Sequence, residues 1–166
     1  FSSTTVSVAD YHVEEYVREM NLAAVKLARD LADEYTAKNP DKPRFVAGSV
    51  GPTNKTCSMS PDVNNPAYRA LSYDELAASY QQQMEAMLEG GVDAILIETI
   101  FDTLNAKAAI FAAEQAMKMT GIEVPIMLSV TVSDIGGRTL SGQTLDAFLA
   151  SVQHANIFSV GLNCSF

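Results

Sequence analysis

Apolar residues in this chain follow two patterns: long stretches with a 3.6-residue period, and short runs that are almost wholly apolar. The periodic stretches predict amphipathic helices, and the short runs predict strands that are covered on both faces. Helices are predicted at residues 10–38, 72–90, 103–120 and 145–152. Strands are predicted at residues 44–50, 92–97, 126–132 and 157–162.

Residues that favour the start of a helix lie where the periodic stretches begin. Ser72 and Glu75 have the spacing of a capping box, in which each side chain binds the backbone N–H of the other residue. Asp10 is expected to cap the first helix, and Asp102 or Thr103 the third. These positions support separate starts for three of the four helices.

Helix and strand alternate four times, with connections short enough for right-handed crossovers, and this order predicts a parallel sheet. The sheet belongs either to a doubly wound fold or to a (β/α)8 barrel. No strand is followed by a G-x-G-x-x-G or P-loop sequence, which disfavours a nucleotide-binding open sheet. A complete barrel takes about 250 residues. We therefore predict an α/β chain forming part of a (β/α)8 TIM barrel, with about four βα units and parallel strands.

Composition and charge exclude several classes of protein. The 166 residues carry a net charge of −9, which argues against nucleic acid as a partner because phosphate binding requires clustered Lys and Arg. No apolar run approaches the roughly 20 residues of a membrane span, so no membrane association is expected. The two cysteines are too few for a disulfide framework and fit a reducing compartment. The predicted location is the cytoplasm.

Polar residues follow each predicted strand, and in a parallel sheet they would meet at one edge, where barrel enzymes place their active sites. Glu98 gives the strongest signal, because a carboxylate directly after Ile95–Ile97 would lie at the mouth of the core. It could equally be a favourable charge at the start of the following helix. The residues that follow the strands are Thr53, Asn54, Glu98, Thr99, Ser133, Asp134, Asn163 and Cys164.

Cys164 ends the last strand and has two interpretations. A single cysteine after an apolar strand is more often a small buried hydrophobic residue than a metal ligand. The chain has no C-x-x-C or H-x-x-x-H spacing. A complete metal site therefore cannot be built from these residues, because zinc takes at least three protein ligands.

Four motifs occur in order along the chain: FVAGSVGPTN at 45–54, IETIFDTLNA at 97–106, GRTLSGQT at 137–144 and GLNC at 161–164. Together they closely resemble the homocysteine-binding domain of cobalamin-dependent methionine synthases, within the homocysteine S-methyltransferase family. The resemblance covers essentially the whole chain. It implies that residues 1–166 are the central part of one homocysteine-binding barrel domain, whose N- and C-terminal parts are missing.

The resemblance also implies roles for individual residues. In that family three cysteines hold a catalytic zinc, and the first lies in a Gly-x-Asn-Cys motif that matches Cys164. The other two form a Cys-Cys pair near the end of the domain, and this pair has no counterpart here. Glu98 matches the glutamate that receives the amino group of homocysteine, and Asn163 lies beside the ligand cysteine in the pocket. Three more residues would help to line the pocket: Thr53, Ser141 and Gly142.

The activity that the resemblance implies is transfer of a methyl group from methylcobalamin to the zinc-activated thiol of homocysteine, which gives methionine. Cobalamin and folate would be carried by other modules of the same polypeptide, and the chain alone is expected to be inactive. Two alternatives are a cobalamin-free enzyme that uses betaine or S-methylmethionine, and a non-enzymatic α/β binding module in which Cys164 is buried and structural. A half-barrel would leave two strand edges unpaired, so self-association is also expected.

Overall fold

The computed structural model describes residues 1–165 and contains a four-stranded sheet with helices between the strands. A short α1 and two 3-10 turns precede the first long helix. The helices are α1 (Thr5–Val8), α2 (Val17–Lys38), α3 (Tyr73–Gly90), α4 (Thr103–Thr120) and α5 (Leu145–Val152), and the strands are β1 (Ala47–Val50), β2 (Ala94–Ile100), β3 (Ile126–Val130) and β4 (Ile157–Leu162).

All three strand pairs are parallel, and the strands lie in the order β1-β2-β3-β4. Each strand therefore lies beside the next one in sequence, with a helix in the crossover, as in a barrel that is open on one side. The carboxyl ends of all four strands lie at the same edge, which we call the carboxyl edge. The predicted α/β class and parallel sheet are confirmed.

The core lies between the sheet and the helices that cover one of its faces. On β2, Ile95 and Ile97 are almost completely buried towards that face, and α3 and α4 pack against each other there. Because side chains alternate along a strand, Leu96 and Glu98 lie on the opposite face. The site residues described below occupy that opposite face at the carboxyl edge.

The long helices begin and end at the residues that the sequence indicates. Ser72 accepts a hydrogen bond from the backbone N–H of Glu75, and Glu75 returns one to Ser72, which completes the capping box. Asp102, not Thr103, caps α4, because its carboxylate accepts from the N–H groups of Leu104 and Asn105. No helix in residues 1–165 is both long and apolar enough to cross a membrane.

The prediction that the first helix starts at Asp10 is wrong, since α2 starts only at Val17. His12 has a left-handed backbone (φ 56°) that interrupts the helix between two 3-10 turns. Asp10 caps nothing there, and its carboxylate instead accepts a hydrogen bond from Asn54. A tertiary contact thus replaces the local one that the sequence suggested.

The strands are shorter or differently placed than their apolar runs. β1 starts at Ala47, because the backbone N–H of Val46 donates to the carboxylate of Asp93 (2.7 Å) instead of to a neighbouring strand. β2 extends to Ile100, so Glu98 lies within the strand and not after it. The prediction that β4 is buried is also wrong, because β4 is an edge strand.

Two flanks of the sheet expose apolar side chains. On the β1 side, Leu27 and Leu31 of α2 are 70% and 57% exposed, although they belong to the apolar stripe that predicted this helix. On the β4 side, Phe158 and Leu162 are 73% and 53% exposed. We call these surfaces the α2 flank and the β4 flank. Contiguous exposed apolar surface of this kind commonly marks an interaction surface.

Cys57 provides a measurable pH dependence of stability. Burial, together with the nearby carboxylates of Asp102 and Glu75, raises the pKa of its thiol from 9.0 to about 11. The folded state therefore keeps a proton that the unfolded state loses, so stability is complete below pH 9 and falls as the pH rises towards 11. Between pH 9 and pH 11, the free energy of unfolding of Cys57→Ala should therefore fall by about 2 kcal/mol less than that of the parent chain.

The measurement for this prediction is urea denaturation of both chains between pH 8 and pH 11. Tyr80, whose pKa is also raised by burial, is present in both chains and accounts for any decline that they share. Identical pH profiles for the two chains would contradict the prediction.

Candidate functional site

Glu98 lies near the end of β2 and is held by a neighbouring strand. Its Oε1 atom accepts a hydrogen bond from the hydroxyl of Ser49 on β1 (2.5 Å). Asp102 caps α4, whereas Glu98 lies inside β2, four residues before the cap. Within residues 1–165 the second carboxylate oxygen makes no hydrogen bond.

Thr99 follows Glu98 and has a left-handed backbone conformation (φ 59°). A β-branched residue rarely adopts positive φ. The pairing of β2 with β3 shifts register between Ile97 and Ile100, so Thr99 lies in a bulge. Bulges redirect side chains, and they are common beside active sites.

Asn163, directly after β4, joins the ends of three strands. Its Oδ1 accepts from the backbone N–H of Thr99 (3.2 Å) and from the hydroxyl of Ser129 on β3 (2.8 Å). Its Nδ2 donates to Thr99 Oγ1 (2.9 Å) and lies 3.4 Å from Cys164 Sγ. The amide therefore makes contacts through both its oxygen and its nitrogen at the carboxyl edge.

Cys164 is exposed, whereas Cys57 is buried. Its backbone is also left-handed (φ 50°). The alternative in which Cys164 is a buried structural residue does not agree with this exposure. The thiol lies at the carboxyl edge beside the amide of Asn163.

The remaining predicted site residues lie further from this group. Thr53 is buried, and its hydroxyl donates to the carbonyl of Lys55 (2.6 Å). Ser141 lines a crevice with Ser58 and Lys107 outside the sheet, whereas Glu98 lines a separate small cavity. Gly142 follows Ser141 in a turn with φ 88°. Asn163 thus contacts both Thr99, which follows Glu98 in β2, and Cys164. Thr53 and Ser141 make no hydrogen bond to these residues within the described chain.

Ser49 and Ser129 belong to the site but were absent from the sequence-based prediction. Each is a single polar residue inside an otherwise apolar strand, one position before the last residue of the strand. That pattern was a usable signal. A hydroxyl facing the helix-covered side would be left without a partner, so an isolated serine there is expected to face the opposite side of the sheet.

A metal site is not complete in the described part of the chain. Within residues 1–165 no group of three or more His, Cys, Asp or Glu side chains is placed to hold a metal ion. Cys164 is a suitable soft ligand, but one thiolate does not make a zinc site. The residues present therefore fit one position of a zinc coordination shell and not the whole shell.

The exposure of the two thiols predicts a difference in their reactivity. In the native chain one equivalent of thiol should react rapidly with a disulfide reagent, and the second should react only on unfolding. Cys164→Ser should abolish the fast phase, and Cys57→Ala should leave it in place. Two equally slow thiols would show that Cys164 is covered in solution.

Four parallel strands that alternate with helices, with polar and thiol side chains collected at the carboxyl edge, define part of a (β/α)8 barrel. The particular family follows from the sequence as a whole. The chain belongs to the homocysteine S-methyltransferase family, because the model of that family, described as "Homocysteine S-methyltransferase", matches residues 1–166.

Solved structures of the homocysteine methyltransferase MmuM from Escherichia coli share this fold. The metallated form is 22% identical, with a TM-score of 0.76, and the match covers 99% of this chain and 55% of that chain. The oxidized form is 23% identical, with a TM-score of 0.76 and the same coverage. The apo form is 23% identical, with a TM-score of 0.69, and the match covers 89% of this chain and 49% of that chain. The chain spans about half the length of these proteins.

Proposed function

We propose that residues 1–166 are the central part of a homocysteine-binding barrel in a zinc-dependent homocysteine S-methyltransferase of the methionine synthase type. The observation that carries this proposal is the joining of a carboxylate and a thiol at one edge of the sheet. Glu98 is oriented by Ser49, and Cys164 is linked to the residue after Glu98 through Asn163. An amino acid that carries both an ammonium group and a thiol offers one group for the carboxylate and one for a metal ion held by the thiolate.

Glu98 supplies the acceptor for the ammonium group of homocysteine. A charge-assisted hydrogen bond of this kind is stronger than a neutral one, and it fixes direction as well as affinity. Ser49 occupies one carboxylate oxygen, so the other is available for the substrate. With its amino end bound at β2, the substrate can extend its thiol along the carboxyl edge towards β4.

Cys164 is proposed as one ligand of the zinc ion, with the other two ligands outside this chain. The chemistry expected of zinc bound there is stabilisation of the substrate thiol as a thiolate, which is the nucleophile in methyl transfer. The chain's own contribution is to hold one ligand and the amino end of the substrate. For that reason we expect this chain to be inactive alone.

The proposed methyl donor is methylcobalamin, held together with folate by other modules of the same polypeptide, and the proposed location is the cytoplasm. The motif at residues 97–106 favours this branch of the family by resemblance. A donor panel tests the proposal: the polypeptide that contains this chain is given homocysteine with methylcobalamin, betaine or S-methylmethionine. Methionine formed from methylcobalamin supports the cobalamin branch, and methionine formed only from one of the others supports the cobalamin-free alternative. No methionine from any donor would refute a methyltransferase.

The 166-residue chain by itself is expected to self-associate. The α2 flank and the β4 flank lie at opposite ends of the sheet, and β1 and β4 each have an unpaired edge. In a symmetric dimer, β4 of each copy could pair with β1 of the other copy, which would give two such contacts. Sedimentation at micromolar concentration should show a dimer or a larger species. Phe158→Glu on the β4 flank should shift the chain towards monomer.

A matched control for the self-association is Ile135→Glu, which places the same charge on an exposed residue of the loop between β3 and α5, outside the residues that define the two flanks. This variant should sediment like the parent chain. A monodisperse monomer for the unmodified chain would contradict the prediction.

A further inference from the structure

Left-handed backbone at residues other than glycine is confined to three places in the described chain: His12, Thr99 and Cys164. His12 lies in the N-terminal turn. The other two lie together at the carboxyl edge, one after Glu98 and one after Asn163. Such conformations are unfavourable and persist only where surrounding contacts enforce them, commonly at functional sites.

One side chain contacts both of these residues. The amide of Asn163 accepts a hydrogen bond from the backbone N–H of Thr99 and donates one to the Thr99 hydroxyl, so two hydrogen bonds hold that residue. The same Nδ2 group lies 3.4 Å from the sulfur of Cys164. Because a backbone N–H can only donate, the atom facing Thr99 N must be the amide oxygen, which fixes the orientation of the amide.

Asn163 is itself held in place by other groups. Ser129 donates to its Oδ1 (2.8 Å), and the hydroxyl of Thr131 donates to its backbone carbonyl (3.1 Å). Its own backbone N–H donates to the carbonyl of Val130 (3.1 Å). Asn163 is thus held on β3 by its backbone and by its Oδ1 atom, while its Nδ2 atom contacts both Thr99 and Cys164.

We propose that Asn163 is a positioning residue whose amide holds Thr99 and Cys164 in their left-handed conformations. The distance between the carboxylate of Glu98 and the thiol of Cys164 is thereby fixed, because each is on, or next to, a residue that the amide contacts. This assigns Asn163 to the framework of the site, and not to direct contact with substrate.

The consequence for substrate choice rests on the proposed function. A substrate bound to Glu98 by its ammonium group and directed by its sulfur towards Cys164 must span a fixed length. Homocysteine and cysteine differ in this length by one methylene. A site in which the distance between Glu98 and Cys164 is fixed discriminates between homocysteine and cysteine. A site in which that distance varies accepts both.

The structural test uses the 166-residue chain and two substitutions that separate the contact made by the amide oxygen from those made by the amide nitrogen. Asn163→Asp keeps an oxygen for the Thr99 N–H but loses the donor to the Thr99 hydroxyl and to Cys164. Asn163→Ala loses both. Amide hydrogen exchange at Thr99 should be about tenfold faster in the alanine variant and nearly unchanged in the aspartate variant. The coupling constant between the backbone amide proton and the Hα of Cys164, which depends on φ, should change in both variants.

Asn156→Ala is the matched control, because Asn156 is an exposed amide at the opposite end of β4. It should leave exchange at Thr99 and the Cys164 coupling unchanged. Unaltered exchange and coupling in Asn163→Ala would overturn the positioning role, as would equal changes in the control.

The functional test uses the intact polypeptide and compares methyl transfer to homocysteine with that to cysteine. One methylene gives roughly 10- to 200-fold discrimination, and Asn163→Ala should lose at least tenfold of the parent's ratio of kcat/KM values, while Asn156→Ala keeps that ratio. An unchanged ratio in Asn163→Ala would overturn the proposal. A parent polypeptide that methylates neither thiol would instead refute the proposed function, and the exchange data alone would then decide the positioning role.

Discussion

Replacing Glu98 with glutamine is expected to lower kcat/KM for homocysteine by about 10- to 150-fold in the intact polypeptide, which corresponds to one charge-assisted hydrogen bond of about 1.5–3 kcal/mol. Glutamine has the shape of glutamate and keeps an oxygen that accepts from Ser49, so the variant removes the charge and little else. The ammonium group of the substrate is bound equally before and during methyl transfer. The loss should therefore appear mainly in KM, with kcat little changed.

The control for this result is Glu114→Gln, the same substitution at an exposed position on α4. It removes an equal charge from the chain without touching the carboxyl edge, and it should leave both kinetic constants unchanged. Equal kinetics for Glu98→Gln and the parent would show that the ammonium group binds elsewhere. A fall in kcat with an unchanged KM would instead place Glu98 in the chemical step.

The order of the elements was predictable because local signals and the final fold agree in the middle of the chain. The capping box at Ser72–Glu75 and the apolar run before Glu98 depend on neighbours in sequence; the box occurs as predicted, and the run forms β2, which extends beyond it to Ile100. Glycine also marks the ends correctly, since Gly91 and Gly121 adopt the left-handed conformation after α3 and α4. Parallel pairing then followed from the alternation of strand and helix.

The errors lie where distant residues decide the local structure. The first helix starts seven residues later than predicted, since α2 begins at Val17 and not at Asp10, after His12 interrupts the helical backbone. The apolar stripe of α2 predicted a helix correctly, but the buried face is rotated and centred on Val25, so Leu27 is exposed. Periodicity reveals that a helix has an apolar face, but not what covers that face.

The candidate site was predictable in part. Glu98, Asn163 and Cys164 could be picked out because each is a polar or thiol residue that follows an apolar run. In the structure Asn163 hydrogen-bonds to Thr99, the residue after Glu98, and its amide nitrogen lies 3.4 Å from the sulfur of Cys164. The bulge at Thr99 and the support from Ser49 could not be foreseen, because both depend on which strands become neighbours and in what register. A shift of one residue in a strand would turn Ser49 to the opposite face.

The largest effect on stability is expected at Phe148, because α5 attaches to the core mainly through this ring. Its side chain is completely buried, and it is among the largest fully buried side chains of the chain. Phe148→Ala should cost about 3–5 kcal/mol through lost burial and the cavity that remains. Since whole domains are stable by only about 5–15 kcal/mol, the midpoint of urea unfolding should fall markedly.

Phe158→Ala is the matched control, since it removes the same ring from an exposed position on β4. Within a single copy it should change the free energy of unfolding by less than about 0.5 kcal/mol. Both variants are best compared at the lowest concentration that gives a signal, because pairing of copies through the β4 flank would stabilise the parent and not Phe158→Ala. A small loss at Phe148 would mean that α5 is not docked in solution. A loss at Phe158 that grows with concentration would instead show that the exposed flank is where copies of the chain meet.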